Sequence, residues 1–248
     1  MSSIISSDLV VYTAQNMPEN NTDTVGGNIN SGIRASFDDP SSAVPIVFYS
    51  SSASDTSQNL TLTGRTAAGI IVTETKSLNG TTNVTSTYTY ERILKSTLSA
   101  TGVGTITVSG NGVNKITDIP AGESGFRRPF YDATSSVDVA KTYYEKVFVK
   151  NNNTIATLSS ANIIEVSNGL YADVAFALED TKKADQTIAN RETIPTGVTG
   201  GFAAGPSGVI GGVLSAGDYQ GVWFKLSLDA GETAQNSFYE VQVSGTTA

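Results

Sequence analysis

The side chains of this chain that could do acid–base or ligand chemistry are carboxylates and hydroxyls, because its 248 residues include no histidine and no cysteine. Histidine is the one side chain whose ordinary pKa lies near neutrality, so a serine nucleophile here lacks its usual base. Zinc sites of the His/Cys kind are excluded as well, and an all-oxygen site favours a hard cation. Glu74, Asp132, Glu145, Glu165 and Asp173 are the acids that could pair for glycoside hydrolysis, which needs two carboxyl groups about 5–10 Å apart beside a cleft. Their spacing selects no two of them. Asp38-Asp39-Pro40 could lend oxygens to calcium, but without EF-hand spacing it reads as a turn begun by Asp before Pro.

The other candidates are weaker. No P-loop and no G-x-S-x-G elbow occurs, so Gly200-Gly201 and Gly211-Gly212 read as turns or close packing. Arg127-Arg128 is the only adjacent arginine pair, and in an acidic protein it reads as a bridge to carboxylates of two domains. Tyr88, Tyr90, Tyr143, Tyr144, Tyr219 and Trp223 could form a binding platform. Their scatter over strand positions favours core and cross-strand packing instead. Nothing calls for a cofactor or a metal, and the chain is read as a non-enzyme.

The elements that must carry these residues are strands. Leu60 and Leu62 alternate with Asn59, Thr61 and Thr63, the period-2 pattern of a half-buried strand. Ile106–Val108 and Val174–Leu178 alternate in the same way, Val44–Tyr49 is a nearly continuous apolar run whose Pro45 suits a strand start or edge, and Ile70–Thr75, Tyr143–Val149 and Asn162–Val166 also read as strands. Leu78-Asn79-Gly80-Thr81 predicts a tight hairpin turn, and the parity change between Tyr90 and Ile93 predicts a bulge. Val222–Leu228 and Tyr239–Val243 predict a closing hairpin. Ala177–Asn190 is the best helix candidate, without the caps or period a helix needs. The fold class is all-β: two β-sandwich or jelly-roll-like domains preceded by an extended N-terminal arm.

The net charge of −8 opposes direct contact with nucleic acid phosphates. No stretch is long and apolar enough to span a bilayer, and residues 1–8 lack the basic and apolar regions of a secretion signal. Ser and Thr make up roughly a quarter of the chain, which suits strands with one wetted face. Two modest domains without a disulfide gain from contact with further subunits, so a homo-oligomer, trimer or dimer, is expected.

Three segments resemble virion structural proteins of tailed double-stranded-DNA bacteriophages. They are Leu62-Thr63-Gly64-Arg65-Thr66-Ala67-Ala68-Gly69-Ile70-Ile71-Val72-Thr73-Glu74-Thr75 with Leu78–Thr82, Arg127–Tyr131 with Tyr143–Phe148, and Gly221–Leu228 with Tyr239–Gly245. The resemblance implies a capsid decoration (cement) protein that binds and stabilises the assembled head. A tail, neck or fibre component with an adhesion or receptor-binding role is the alternative. Its implied partners are the major capsid protein or other virion proteins, and its implied location is the virion, assembled in the host cytoplasm.

The expected domains are an arm over 1–30, a first sandwich over 31–126 and a second over 127–248. The arm is expected to order only on a neighbouring subunit, since residues 15–28 hold little apolar surface. The Gly-rich but apolar segment 197–217 is the second expected contact element. The interface residues are therefore Val10, Tyr12, Met17 and Val25 from the arm, with Phe202, Val209, Ile210 and Leu214.

Overall fold

Alternating apolar and hydroxyl side chains give this chain strands along its whole length, separated by turns and loops. The computed structural model describes residues 3–167, 173–202, 207–231 and 239–247. The single helical element among them is the 3-10 turn Ser6–Asp8. The chain divides into two compact units, one of Met1–Asn30 with Asp132–Ala248 and the other of Ser31–Tyr131. They are called the split and the continuous unit below. The second boundary thus falls after Tyr131 rather than at 126/127.

The chain opens with β1 (Leu9–Asn16) and β2 (Val25–Arg34). The continuous unit then adds β3 (Val44–Ser50), β4 (Asn59–Arg65), β5 (Ile71–Ser77), β6 (Val84–Tyr90), β7 (Arg92–Leu98), β8 (Ile106–Gly110), β9 (Asn114–Ile119) and β10 (Gly125–Arg127). Strands β10-β7-β4-β5 lie side by side, as do β6-β3-β8-β9. Ile46 and Phe48 of β3, Leu60 and Leu62 of β4, and Ile106 and Val108 of β8 belong to one buried cluster, so the two sheets share a core. Each such side chain, fully buried, contributes about 1.5–3 kcal/mol.

Two local expectations change here. β5 and β6 lie in different sheets, so Leu78–Thr81 is a crossover and not a hairpin turn. Leu78 is buried in the core, and Gly80, at φ +57°, links two loops through Gly80 N–H to Asp55 O (2.8 Å) and Ser50 N–H to Gly80 O (2.9 Å). The parity change after Tyr90 is likewise a change of sheet, from β6 to β7. A register shift also lies close by, on β7, where Thr63 faces Lys95 and Gly64 faces Ile93, so that Leu94 is the extra residue.

The split unit contains β11 (Lys141–Asn151), β12 (Leu158–Ser167), β13 (Val174–Glu179), β14 (Thr187–Ile188), β15 (Val198–Thr199), β16 (Ser207–Leu214), β17 (Tyr219–Leu228) and β18 (Glu240–Thr247). Its larger sheet runs β15-β13-β17-β11-β1-β2, with β14 on β2, and the smaller runs β16-β12-β18. The expected closing hairpin does not form, because β17 pairs with β11 and β13 while β18 pairs with β12. The helix candidate is occupied by β13, turns and β14.

The extended arm is also corrected. β1 pairs with β11 from Leu9↔Asn151 to Thr13↔Val147, and Val10, Tyr12, Ala14 and Met17 are buried. Val25 is fully buried with Tyr144, Ile188 and Trp223. Gly26 and Gly27, at φ +98° and +85°, let the backbone press close: a Cβ on Gly26 would lie 2.9 Å from Trp223 Cη2. Residues too poor in apolar side chains to fold alone are held by backbone pairing to strands far along the chain.

Candidate functional site

Most of the titratable side chains singled out by type are engaged in structure. Glu145 is buried on β11 and accepts from Arg191 Nη2 at 2.8 Å. The same guanidinium reaches Asp132 Oδ2 at 2.8 Å and Oδ1 at 3.2 Å, and lies 4.9 Å over the Tyr143 ring. These two acids converge on a buried cation and not on an open cleft. Glu74, on edge strand β5, accepts from Thr87 N–H (2.8 Å) and Tyr90 hydroxyl (2.9 Å), tying β5 to β6. Glu165 lies on β12 opposite Val241 of β18, and the Asp173 carbonyl accepts from Ser227 N–H at 2.8 Å.

Asp39 accepts from Arg128 Nη2 at 2.7 Å and Ile93 N–H at 3.2 Å. It therefore clamps the chain after β10 to β7 within the continuous unit, in place of a free turn. Arg128 stacks 4.8 Å over Phe37, so its bridge is internal to one unit. Among the described residues no group of three or more His, Cys, Asp or Glu is placed to hold a metal ion.

Most of the expected interface residues lie in the interior of the split unit. Val10, Tyr12, Met17, Val25 and Leu214 are buried in the split unit. Phe202 is half-buried against Tyr144, with ring centroids 5.2 Å apart. Val209 and Ile210 lie in β16, where Val209 pairs with Asn162. Residues 203–206 of the expected contact segment lie outside the described residues.

Among the described residues an exposed apolar run lies at the β4–β5 hairpin of the continuous unit. Thr66 N–H donates to Ile70 O (2.9 Å) and Gly69 N–H to Thr66 O (2.8 Å), with Gly69 at φ +78°. This turn holds Ala67, Ala68, Gly69, Ile70 and Ile71 outward, with Ile70 60% and Ile71 51% exposed. Isolated exposed apolar residues such as Val113 or Ile155 are ordinary. Ala67–Ile71 place five such positions in a row at the end of a two-stranded hairpin.

One opening of about 380 Å³ lies in the split unit between Leu9, Val166, Val241 and Val243, with Glu240 as its one titratable side chain. A lone carboxylate on an apolar wall supports no acid–base pair.

Sequence reasoning missed Asp55, Lys146, Glu179 and Arg191, all buried. Lys146 did leave a signal. A Glu-Lys pair inside the apolar run Tyr143–Val149 must find partners when that strand is covered on both faces.

Comparison of the chain with family models, with curated proteins and with solved structures finds no match. The described residues form an all-β protein with an apolar hairpin tip exposed at Ala67–Ile71.

Proposed function

We propose that this chain is a non-enzymatic structural component of a tailed-bacteriophage particle, attached by non-covalent contacts, and that its place is the outside of the head as a decoration protein. The observation that carries the reading is the Ala67–Ile71 tip. It lies inside the segment Leu62–Thr75 that resembles virion structural proteins, and it presents apolar surface that water disfavours and a partner would bury. The engagement of Asp39, Glu74, Asp132 and Glu145 in structural bonds agrees with a role in assembly. The N-terminal segment no longer supports a lacing arm, since β1 and β2 belong to the split unit's sheet, and the contact role passes to the hairpin.

The test adds purified chain to heads and, separately, to tails that lack it, and measures co-sedimentation. The wild type should bind heads saturably, and Ile70→Asp with Ile71→Asp should weaken binding at least tenfold while leaving the far-UV spectrum unchanged. Saturable binding to tails alone would move the protein to the tail. Binding to neither, or undiminished binding by the double variant, would overturn the role given to the tip.

A further inference from the structure

The protein has no cysteine and so no disulfide, yet one pair of buried side chains is placed to staple three strands. In the split unit β17 runs between β11 and β13. Lys146 of β11 pairs in register with Trp223 of β17, and Glu179 follows the last registered pair of β13, Leu178↔Val222. Both side chains lean over Gly221 of β17, from opposite sides. A Cβ at Gly221 would overlap Glu179 Oε2 and would come within 3.0 Å of Lys146 Cε, so only glycine leaves room for the two chains to meet.

They meet at 2.6 Å, Nζ to Oε1, with side-chain exposures of 0% and 1%. Aromatic rings wall the site: Nζ lies 4.5 Å from the Phe148 centroid and 5.7 Å from that of Trp223. Three backbone carbonyls, of Gly27 (3.0 Å), Ala184 (3.2 Å) and Gln186 (3.3 Å), complete the surroundings of Nζ.

Two charges removed from water in this way gain less from their attraction than they lose in solvation unless every donor and acceptor is matched. Burial lowers the Lys146 ammonium from its ordinary value and raises the Glu179 carboxyl from its own, against the opposing pull of each on the other. The uncharged amine and carboxylic acid are thereby brought closer in energy to the ion pair, in contact and out of reach of bulk water. Such proximity replaces the entropy that a bimolecular condensation must supply.

We propose that Lys146 and Glu179 condense to an intramolecular isopeptide bond that links β11 to β13 across β17. The proton passes from Nζ to the carboxylate, and the freed lone pair adds to Cδ. The tetrahedral carbon then expels one oxygen as water, which carries off the carboxyl proton and a second proton from Nζ. One C–N bond forms and one C–O bond breaks, with no oxidant, metal or co-reactant. The remaining N–H keeps a carbonyl acceptor, of which Gly27 O is the nearest. The bond would give a β sheet without disulfides a covalent tie between strands that do not touch in the order of the sheet.

The experiment is intact-mass spectrometry of the purified full chain, followed by trypsin digestion and fragment sequencing. The expected mass is one water below that of the unmodified chain. Trypsin should fail to cut after Lys146, and a branched peptide should join the Lys146 and Glu179 segments. The Lys146→Met variant should show its full calculated mass and no branch. A wild-type chain that keeps its full mass after prolonged incubation at neutral pH, with the two residues in separate linear peptides, overturns the proposal and leaves a buried ion pair. Water lost within a single linear peptide, as ring closure at an aspartate would give, overturns it too.

Discussion

Gly104 donates its backbone N–H to Asp55 Oδ2 at 2.9 Å, and the carboxylate that accepts it is fully buried. Val103 N–H (2.8 Å), the Ser50 hydroxyl (2.5 Å) and the Gln58 amide (3.2 Å) point at the same group. The end of β3, the loop that follows it and the loop between β7 and β8 are thus tied to one side chain. Gly104 has no alternative at its position, because a Cβ would lie 2.6 Å from Ser52 N and 2.7 Å from Ser50 Oγ.

Replacing Asp55 by Ala leaves these donors buried and unmatched, at about 1–3 kcal/mol for each one that water cannot reach. Urea unfolding of Asp55→Ala should show a loss of about 3 kcal/mol at neutral pH. Burial opposes ionisation of Asp55, but the Ser50, Val103, Gly104 and Gln58 bonds together outweigh it and hold the carboxyl below its ordinary 3.8. A carboxyl depressed on folding stabilises the native state above its unfolded pKa, and that contribution disappears as pH falls through the lower folded value. Stability of the wild type should therefore fall below pH 3.8, and Asp55→Asn should lack that part of the fall.

Gly64 lies where β4 slips register against β7, beneath the ring of Tyr90. A methyl group there would overlap Tyr90 Cδ1 and sit 2.7 Å from Arg92 O, a backbone atom that cannot swing aside. Gly64→Ala should cost about 1–3 kcal/mol through overpacking, read as a lowered thermal midpoint. An unchanged midpoint would mean that the β6–β7 crossover is looser than its buried Tyr90 indicates.

Arg191 is the cation on which Asp132 and Glu145 depend, and it is 1% exposed. Arg191→Met takes the shared cation away from the buried Glu145 and from Asp132, so a loss of about 3–5 kcal/mol is expected. Adding Glu145→Gln should restore part of it, because an amide is cheaper to bury than an unpaired charge. A double variant no more stable than the single one would show that Asp132, not Glu145, is the partner that matters.

Tyr90 is fully buried and donates to Glu74 at 2.9 Å. Burial first, then the bond to Glu74 and its charge, push the phenol well above its ordinary 10.0. A phenol raised on folding stabilises the native state below its unfolded pKa and ceases to do so as pH climbs through the folded value. Alkaline denaturation followed by tyrosine absorbance should begin above pH 10, and Tyr90→Phe should remove this residue from it. Glu74→Ala should cost about 1 kcal/mol by taking the acceptor from the buried Tyr90 hydroxyl, while the exposed Thr87 N–H turns to water.

The positions of most strands were legible from the residues alone. Asn59–Thr63, Val174–Leu178 and Val222–Leu228 alternate so regularly that β4, β13 and β17 follow from side-chain direction, which reverses at every residue of an extended chain. The absence of histidine and cysteine likewise bounded the chemistry before any coordinate. Alternation says which face of a strand is apolar, but it carries no information on which strand lies beside it. Pairing energy comes from backbone groups common to all residues, so Leu78–Thr81 and the β17–β18 link resemble hairpins in sequence and are changes of sheet in space. For the same reason Leu9–Asn16 and Val25–Asn30 passed for an arm: their partners on β11 and β14 lie far along the chain. The meeting of Lys146 with Glu179 over Gly221, and of Arg191 with Glu145 and Asp132, is a property of register. Only the assembled sheet decides which side chains share a dry space too small for water.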